Sequence, residues 1–456
     1  MKVTFENPDK VSGLLTIVVE EEDYKANLDK ELRTYRKKAN LPGFRPGMVP
    51  MGIIKRQYGA MAKYDVVNKI VGDELYKYLE EKKIDMLGSP MASDGQTPVD
   101  IDGPAPYTFA FDIAVAPEFD ITLGGDDTIV RYTIKVEAKD IDEEIDIYRS
   151  RGGHHEKVEE YADSDMLKGT LTELDEAGKP KEGGITAKDA IVMPAYISAE
   201  EQKRLFDGAK LGSVVTFNPR KAYPKSDYEL ASLLGVKKEE ASGVTSDFTY
   251  EITEISRYVK AAVDQDLFDS IYGKGVVTSE EQFRVKIAEA VKAKYADESD
   301  YKFQQDLRKY CMEKVGKLTF PDELLKKMLK SKNKDKEPDY VDKYYDGSIK
   351  ELEWQLIRNK LAKGFGVKVG DSDVREISEK MARAQFAGYG MFNAPEETVK
   401  AYAASMVKEE ETLNKVIERC IDEKIMESVM KTVKLDEKEV TRDEFNEVIR
   451  QSAGNA

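Results

Sequence analysis

Apolar and polar residues alternate from Val3 to Val19, broken at Asn7-Pro8, and this period of two predicts a strand pair. The pattern changes at Glu20-Glu21-Glu22-Asp23. Acids there suit the positive end of a helix, and Tyr24, Leu28, Leu32 and Tyr35 fall on one face. From Val49 to Lys83 the spacing predicts two further helices, with Ile53, Tyr58, Val66, Ile70, Leu75 and Leu79 inward. Strands return between Met86 and Ala116, where Tyr107, Phe109, Phe111, Ile113 and Val115 alternate with smaller or polar residues. The order strands, helices, strands predicts an α+β domain over residues 1–119.

Residues 120–160 read as a linker with one strand, Thr128 to Val136, and one helix, Asp140 to Arg149. Between Asp163 and Ser256 short strands and frequent glycines predict a small β-rich domain, residues 161–257. From residue 258 to 456 the pattern is helical. Thr278-Ser279-Glu280-Glu281-Gln282 is a capping box, Pro321 opens a helix, and Ala394-Pro395-Glu396-Glu397 caps another. The run Val433 to Val440 closes this series. The expected fold class is therefore multidomain α+β, ending in an all-helical domain.

Composition narrows the function classes. The chain carries 87 Asp and Glu against 71 Lys and Arg, with a formal net charge of -16. Two cysteines, Cys311 and Cys420, fit a reducing cytosol better than a disulfide framework. The N-terminus lacks the apolar stretch of a secretion signal, and no run approaches the roughly 18 apolar residues of a membrane span. No phosphate loop, nucleophile elbow or metal cluster is legible, so no cofactor or metal is expected. His154 and His155 are adjacent and have no cysteine nearby, which is poor spacing for a metal site.

Against this acidic background, Leu32 to Tyr64 contains no Asp or Glu, where the chain average predicts about six. Arg33, Arg36, Lys37, Lys38, Arg45, Lys55, Arg56 and Lys63 stand there instead. Such an island suits a polyanion such as RNA phosphate, or is a solvated basic face. At its centre lies Leu41-Pro42-Gly43-Phe44-Arg45-Pro46-Gly47-Met48-Val49-Pro50. Glycines permit unusual backbone angles and prolines stiffen the chain, so Phe44 and Arg45 are held at a tip or Phe44 packs into a helix–helix turn.

The run Gly43-Phe44-Arg45-Pro46-Gly47-Met48-Val49-Pro50, followed by Ile53, Gln57 and Tyr58-Gly59, resembles the signature Gly-Phe-Arg-x-Gly-x-x-Pro of bacterial trigger factor. Pro46 stands where relatives often have Lys. The resemblance implies a cytoplasmic, ATP-independent chaperone docked on the large ribosomal subunit near the exit tunnel, touching ribosomal protein and RNA. Its partners would be nascent and unfolded polypeptides, with a homodimer when free and no membrane. Gly43, Phe44, Arg45, Pro46 and Gly47 would form the contact, supported by Arg36, Lys37, Lys38, Lys55 and Arg56.

By position, the β-rich domain resembles the family's FKBP-type prolyl isomerase module. Phe206 to Ser213 is similar to the turn after its short helix, and Tyr223-Pro224 to its flap entry. That activity needs an aromatic cage that desolvates the prolyl amide. The early motif position reads Met166-Leu167-Lys168-Gly169, and Ala199-Glu200-Glu201-Gln202 stands where Gly-Phe-Glu belongs. Tyr223 and Phe248 are the placeable cage residues, and both also suit a core. Weak or absent isomerase activity is expected.

One helical stretch is unusually apolar for this chain: Met381, Phe386, Tyr389, Met391 and Phe392 ahead of Pro395. Gly388, Gly390 and Pro395 place the helix end there, so these residues bind clients at an exposed turn or pack on a neighbouring helix. Three function classes remain: a ribosome-associated chaperone, a prolyl isomerase, and an RNA-binding structural protein. The last leaves the long helical region without a role.

Overall fold

The computed structural model describes every residue except Gly43, Pro46, Phe392, Asn393, Asn455 and Ala456, and gives Ala453 and Gly454 by backbone alone. The chain divides into two compact units, each discontinuous in sequence. The first takes Met1–Arg131, Asp300–Ser378 and Ala404–Lys438; the second takes Tyr132–Ser299, Glu379–Ala403 and Glu439 onward.

In the first unit, strand Lys2–Glu6 pairs antiparallel with Ser12–Val19, as the alternation dictates. Asp9 closes their turn by accepting the Val11 and Ser12 N–H groups at 3.0 and 2.6 Å. Ser12–Val19 also pairs with Tyr107–Ala114, which pairs with Met91–Ala92 to complete a four-stranded sheet. Leu15, Ile17 and Val19 point to one face and are fully buried. They pack on Val67, Val71 and Leu75 of the helix Met51–Glu81.

That helix is one continuous element of 31 residues, where the sequence spacing suggested two. Gly52, Gly59 and Gly72 lie in it with open space around them. Each costs about 1 kcal/mol relative to alanine. The unbroken buried seam of Ala62, Val66, Val67, Val71, Leu75 and Leu79 outweighs that cost. The preceding helix, Glu21–Lys38, begins with a capping box in which Glu20 N–H donates to Asp23 at 2.8 Å. It has acids in its first turn and Arg36, Lys37 and Lys38 in its last, matching its dipole.

The helical part of this unit packs on both the sheet and itself. Leu325 and Met328 of helix Asp322–Lys332 meet Leu87 and Ala114. Phe303, Leu307 and Cys311 meet Ile357 and Leu361, together with Ile425 and Val429 of helix Glu410–Thr432. Residues Lys434–Val440, expected to continue the helical series, instead form a strand paired with Thr128–Ile134.

Asp127 clamps this region. Its carboxylate accepts from Tyr310 at 2.6 Å, from Gly124 N–H at 2.8 Å and from Lys314, while its carbonyl accepts Lys434 N–H at 2.9 Å. Burial opposes its ionisation, but the bonds from Lys314, Tyr310 and Gly124 prevail and hold the carboxyl below its ordinary value.

The second unit contains the β-rich module. Its sheet runs His154–Val158, Phe248–Val259, Met166–Glu173, Thr186–Val192, with Val214–Phe217 also on Phe248–Val259. Gly169 is required where Met166–Glu173 crosses Phe248–Val259: a Cβ there would lie 2.3 Å from the Glu251 carbonyl oxygen. A separate core joins Ile145 to Phe268, Phe283 and Ile287.

Replacing Asp127 by Ala is expected to destabilise the first unit by about 2–3 kcal/mol, because three donors lose their shared acceptor. A lowered folded pKa gives stability that is present above the unfolded pKa and lost as pH falls through the folded one. Urea unfolding at a series of pH values checks this: the gap between variant and parent stays full at neutral pH and closes only below about pH 4.

Candidate docking loop and helical tip

Prolines at 42 and 50 forbid the two N-terminal helices from running together, so the chain turns between them. Helix Glu21–Lys38 closes with Ala39 N–H donating to Tyr35 O at 2.8 Å. Pro50 opens the next helix, its carbonyl accepting Ile53 and Ile54 N–H at 3.0 and 3.2 Å. Between them, Phe44 N–H donates to Leu41 O at 3.1 Å and Met48 N–H to Arg45 O at 2.9 Å. The second turn runs through Gly47 at φ +83°, which favours glycine.

The base of the loop is packed. Val49 is fully buried with Leu32, Ala39 and Ile54, and Tyr35 stacks on Tyr58 with centroids 5.3 Å apart. Arg36 donates its Nε to Val49 O at 2.9 Å. Above this base Phe44, 38% exposed, and Arg45 face solvent. Met48 is 65% exposed beside them. Sequence reasoning missed Met48; the signal was an apolar residue directly after Gly47 in an otherwise polar turn.

The structure brings most of the basic island to this end of the helical hairpin. Lys37, Lys38, Arg45 and Arg56 are exposed and form no ion pair with any described residue. Lys55 is 3.8 Å from Asp29, an exposed pair of little strength. Arg36 is half-buried and spends its Nε on the loop base. Lys63 is drawn away: its Nζ donates to Gly103 O at 3.0 Å and lies over the Tyr24 and Tyr107 rings. Gly43 and Pro46 lie outside the described residues. Like charges left unpaired around an exposed aromatic repel one another unless an anion joins them.

The apolar helical stretch is in the second unit. Helix Asp371–Gly388 ends in a Schellman cap: Met391 N–H donates to Phe386 O at 2.9 Å and Gly390 N–H to Ala387 O at 2.9 Å. Gly390 takes φ +79° to allow it. Tyr389 and Met391 are 75% and 50% exposed. Met381 and Phe386 are half-buried, and Phe386 meets Tyr402 with centroids 5.3 Å apart. Arg383 bonds both Glu396 oxygens at 2.7 Å and ties the two helices of the tip together. Phe392 lies outside the described residues.

Three sequence models match in succession along the chain. "Bacterial trigger factor protein (TF)" covers residues 1–148, "Probable trigger factor, FKBP-like domain" 155–260, and "Probable trigger factor, C-terminal domain" 299–449. The chain belongs to the trigger factor family. Among its relatives, the trigger factor of Chlorobaculum tepidum is 24% identical over 84% of this chain and 88% of that protein. The trigger factors of Azotobacter vinelandii and Pseudomonas fluorescens strain Pf0-1 are 23% and 24% identical, each over 97% of this chain and 98% of theirs. A solved structure described as "Promiscuous Substrate Recognition in Folding and Assembly Activities of the Trigger Factor Chaperone" aligns over 94% of this chain and 99% of its own, at TM-score 0.47 and 18% identity.

In this trigger factor's FKBP-like module, four aromatic side chains fill the core. Phe206, Phe217, Phe248 and Tyr250 are buried, with Phe206, Phe217 and Tyr250 meeting edge to face. Tyr250 donates its hydroxyl to Ala190 O at 2.9 Å. Of the two cage candidates, Phe248 is fully buried beside Phe217 on the neighbouring strand. Tyr223 is half-buried against the same core, and burial with nearby Glu229 pushes its hydroxyl up to about 12. The histidine pair is also placed: His154 bonds Glu156 at 3.0 Å, and His155 packs edge to face on Tyr258.

The cap geometry gives a direct test at the tip. Replacing Gly390 by Ala meets open space but forces a side chain into the left-handed region, and about 1–2 kcal/mol of local stability is expected to be lost. Phe386→Ser is expected to lower the melting temperature, because it removes packing on Tyr402, whereas Met391→Ser leaves it unchanged. Thermal unfolding of the three variants checks this ordering.

Proposed function

We propose that this trigger factor works as an ATP-independent, ribosome-associated chaperone in the cytoplasm. It docks beside the exit tunnel of the large subunit and receives nascent chains there. The observation that carries this reading is the loop at 41–50, which presents Phe44, Arg45 and Met48 on a packed base, beside Lys37, Lys38 and Arg56, which form no ion pair with any described residue. An aromatic side chain among free cations suits ribosomal RNA phosphate and an acidic protein groove alike. Residues 1–119 dock, residues 120–160 connect, residues 161–257 form the FKBP-like module, and residues 258–456 hold clients. Off the ribosome the chain forms a homodimer. Tyr389 and Met391 supply apolar client contacts, and the deformable thioether of Met391 suits unrelated sequences.

A prolyl isomerase reading gains support from the FKBP-like match at 155–260. It loses support from Phe248, whose ring is spent in the core. Catalytic efficiency on a proline tetrapeptide is expected to stay near that of an inactive control protein. Activity well above the control would make this the main reading, with Tyr223 the first residue to replace.

Docking is tested by changing Phe44, Arg45 and Pro46 together to alanine. Co-sedimentation with ribosomes is expected to be lost while the melting temperature holds, since Phe44 and Arg45 are exposed. Retained binding would overturn the assignment. Binding of the parent protein is expected to fall by about one log unit per log unit of salt for each phosphate contact.

A further inference from the structure

The loop at residues 41–50 has few bonds of its own. Pro42, Pro46 and Pro50 bring no backbone N–H to it. Two backbone hydrogen bonds between described residues lie inside it, Phe44 N–H to Leu41 O at 3.1 Å and Met48 N–H to Arg45 O at 2.9 Å. Each closes a single turn, and neither ties the loop to the helices beneath it. The direction in which the loop points therefore depends on what holds its two ends.

Tyr35 and Arg36, adjacent near the end of helix Glu21–Lys38, hold one end each. At the entry, the Tyr35 carbonyl accepts Ala39 N–H at 2.8 Å. At the exit, Arg36 Nε donates to Val49 O at 2.9 Å, between Met48 at the tip and Pro50 at the start of the next helix. Among the described residues Arg36 is the one donor to this carbonyl. Val49 is fully buried, and a buried carbonyl that loses its donor costs free energy. Arg36 is half-buried, whereas Lys37 and Lys38 face solvent. Its Nε is spent within the protein, while those lysines are open to an anion.

We infer, on the docking role proposed for this loop, that Arg36 is a positioning residue and not a phosphate contact. Its Nε–H fixes the exit of the loop, and with it the direction in which Phe44, Arg45 and Met48 face the ribosome. Docking uses the donor and not the charge. Two substitutions separate these properties. Glutamine places an N–H donor the same number of bonds from Cα as arginine Nε, without the charge. Methionine has a chain of that same length but neither donor nor charge. Both variants remove one positive charge, so a difference between them reports the hydrogen bond.

The test uses the full chain with Arg36→Met or Arg36→Gln. Ribosome affinity, read by co-sedimentation, is expected to fall about tenfold in Arg36→Met and to recover to within about threefold of the parent in Arg36→Gln. Arg36→Gln is also expected to keep the parent's salt slope. Equal weakening in both variants, with the slope lowered by about one, overturns the positioning role in favour of a phosphate contact. Parent-like binding by Arg36→Met overturns it too, provided that the triple alanine variant at 44–46 has lost binding; if that variant also binds, the docking reading itself has failed. A second readout needs no ribosome. In the free chain, amide exchange at Phe44, Met48 and Val49 is expected to be about threefold faster in Arg36→Met than in the parent or Arg36→Gln. Equal exchange in all three proteins overturns the positioning role whatever the ribosome result.

Discussion

The burial of one face of helix Met51–Glu81 on the N-terminal sheet is the constraint on which the exposed loop at residues 41–50 depends. Val67, Val71 and Leu75 lock the helix to Leu15, Ile17 and Val19, and Ile54 fastens its first turn to Leu32 and Val49. The seam fixes the loop at residues 41–50 at one end and the closing turn through Lys83 and Ile84 at the other. At about 1.5 Å per residue the two lie roughly 46 Å apart along a rigid rod. Loosening the seam would blur the loop, whereas changing exposed residues at either end leaves the rod intact.

The FKBP-like module and the helical tip resolve the placement of apolar side chains in opposite ways. In the module, Phe206, Phe217, Phe248 and Tyr250 are interior, so the aromatic residues that a prolyl cage would need serve the core. At the tip, backbone hydrogen bonds through Gly390 stabilise a turn that leaves Tyr389 and Met391 outside. Exposed apolar area is costly, and here the cap geometry rather than side-chain packing maintains it. A chaperone requires the second arrangement and not the first.

Much of this was legible in the sequence. The acid-free window located the loop because charge depletion is a local property. The alternation around Leu15 and Phe109 located the sheet because one face of each strand is buried. Other features depend on partners far away in the chain. Lys434–Val440 is polar and short, and its strand character comes from pairing with Thr128–Ile134, about three hundred residues earlier. The single long helix was hidden because glycines read as breaks when the buried seam beneath them is not known. Arg36, Lys63 and Phe386 carried the expected chemistry but are turned to structural contacts with Val49, with Tyr24 and Tyr107, and with Tyr402.

The central claim is that the loop between the two N-terminal helices is the ribosome contact. Amide hydrogen exchange on the full chain, with and without large ribosomal subunits, tests it most directly. The account predicts new protection at Phe44, Arg45 and Met48, with the amides of Tyr389 and Met391 unchanged on empty subunits. Protection absent from the loop, or confined to the helical tip, would contradict it.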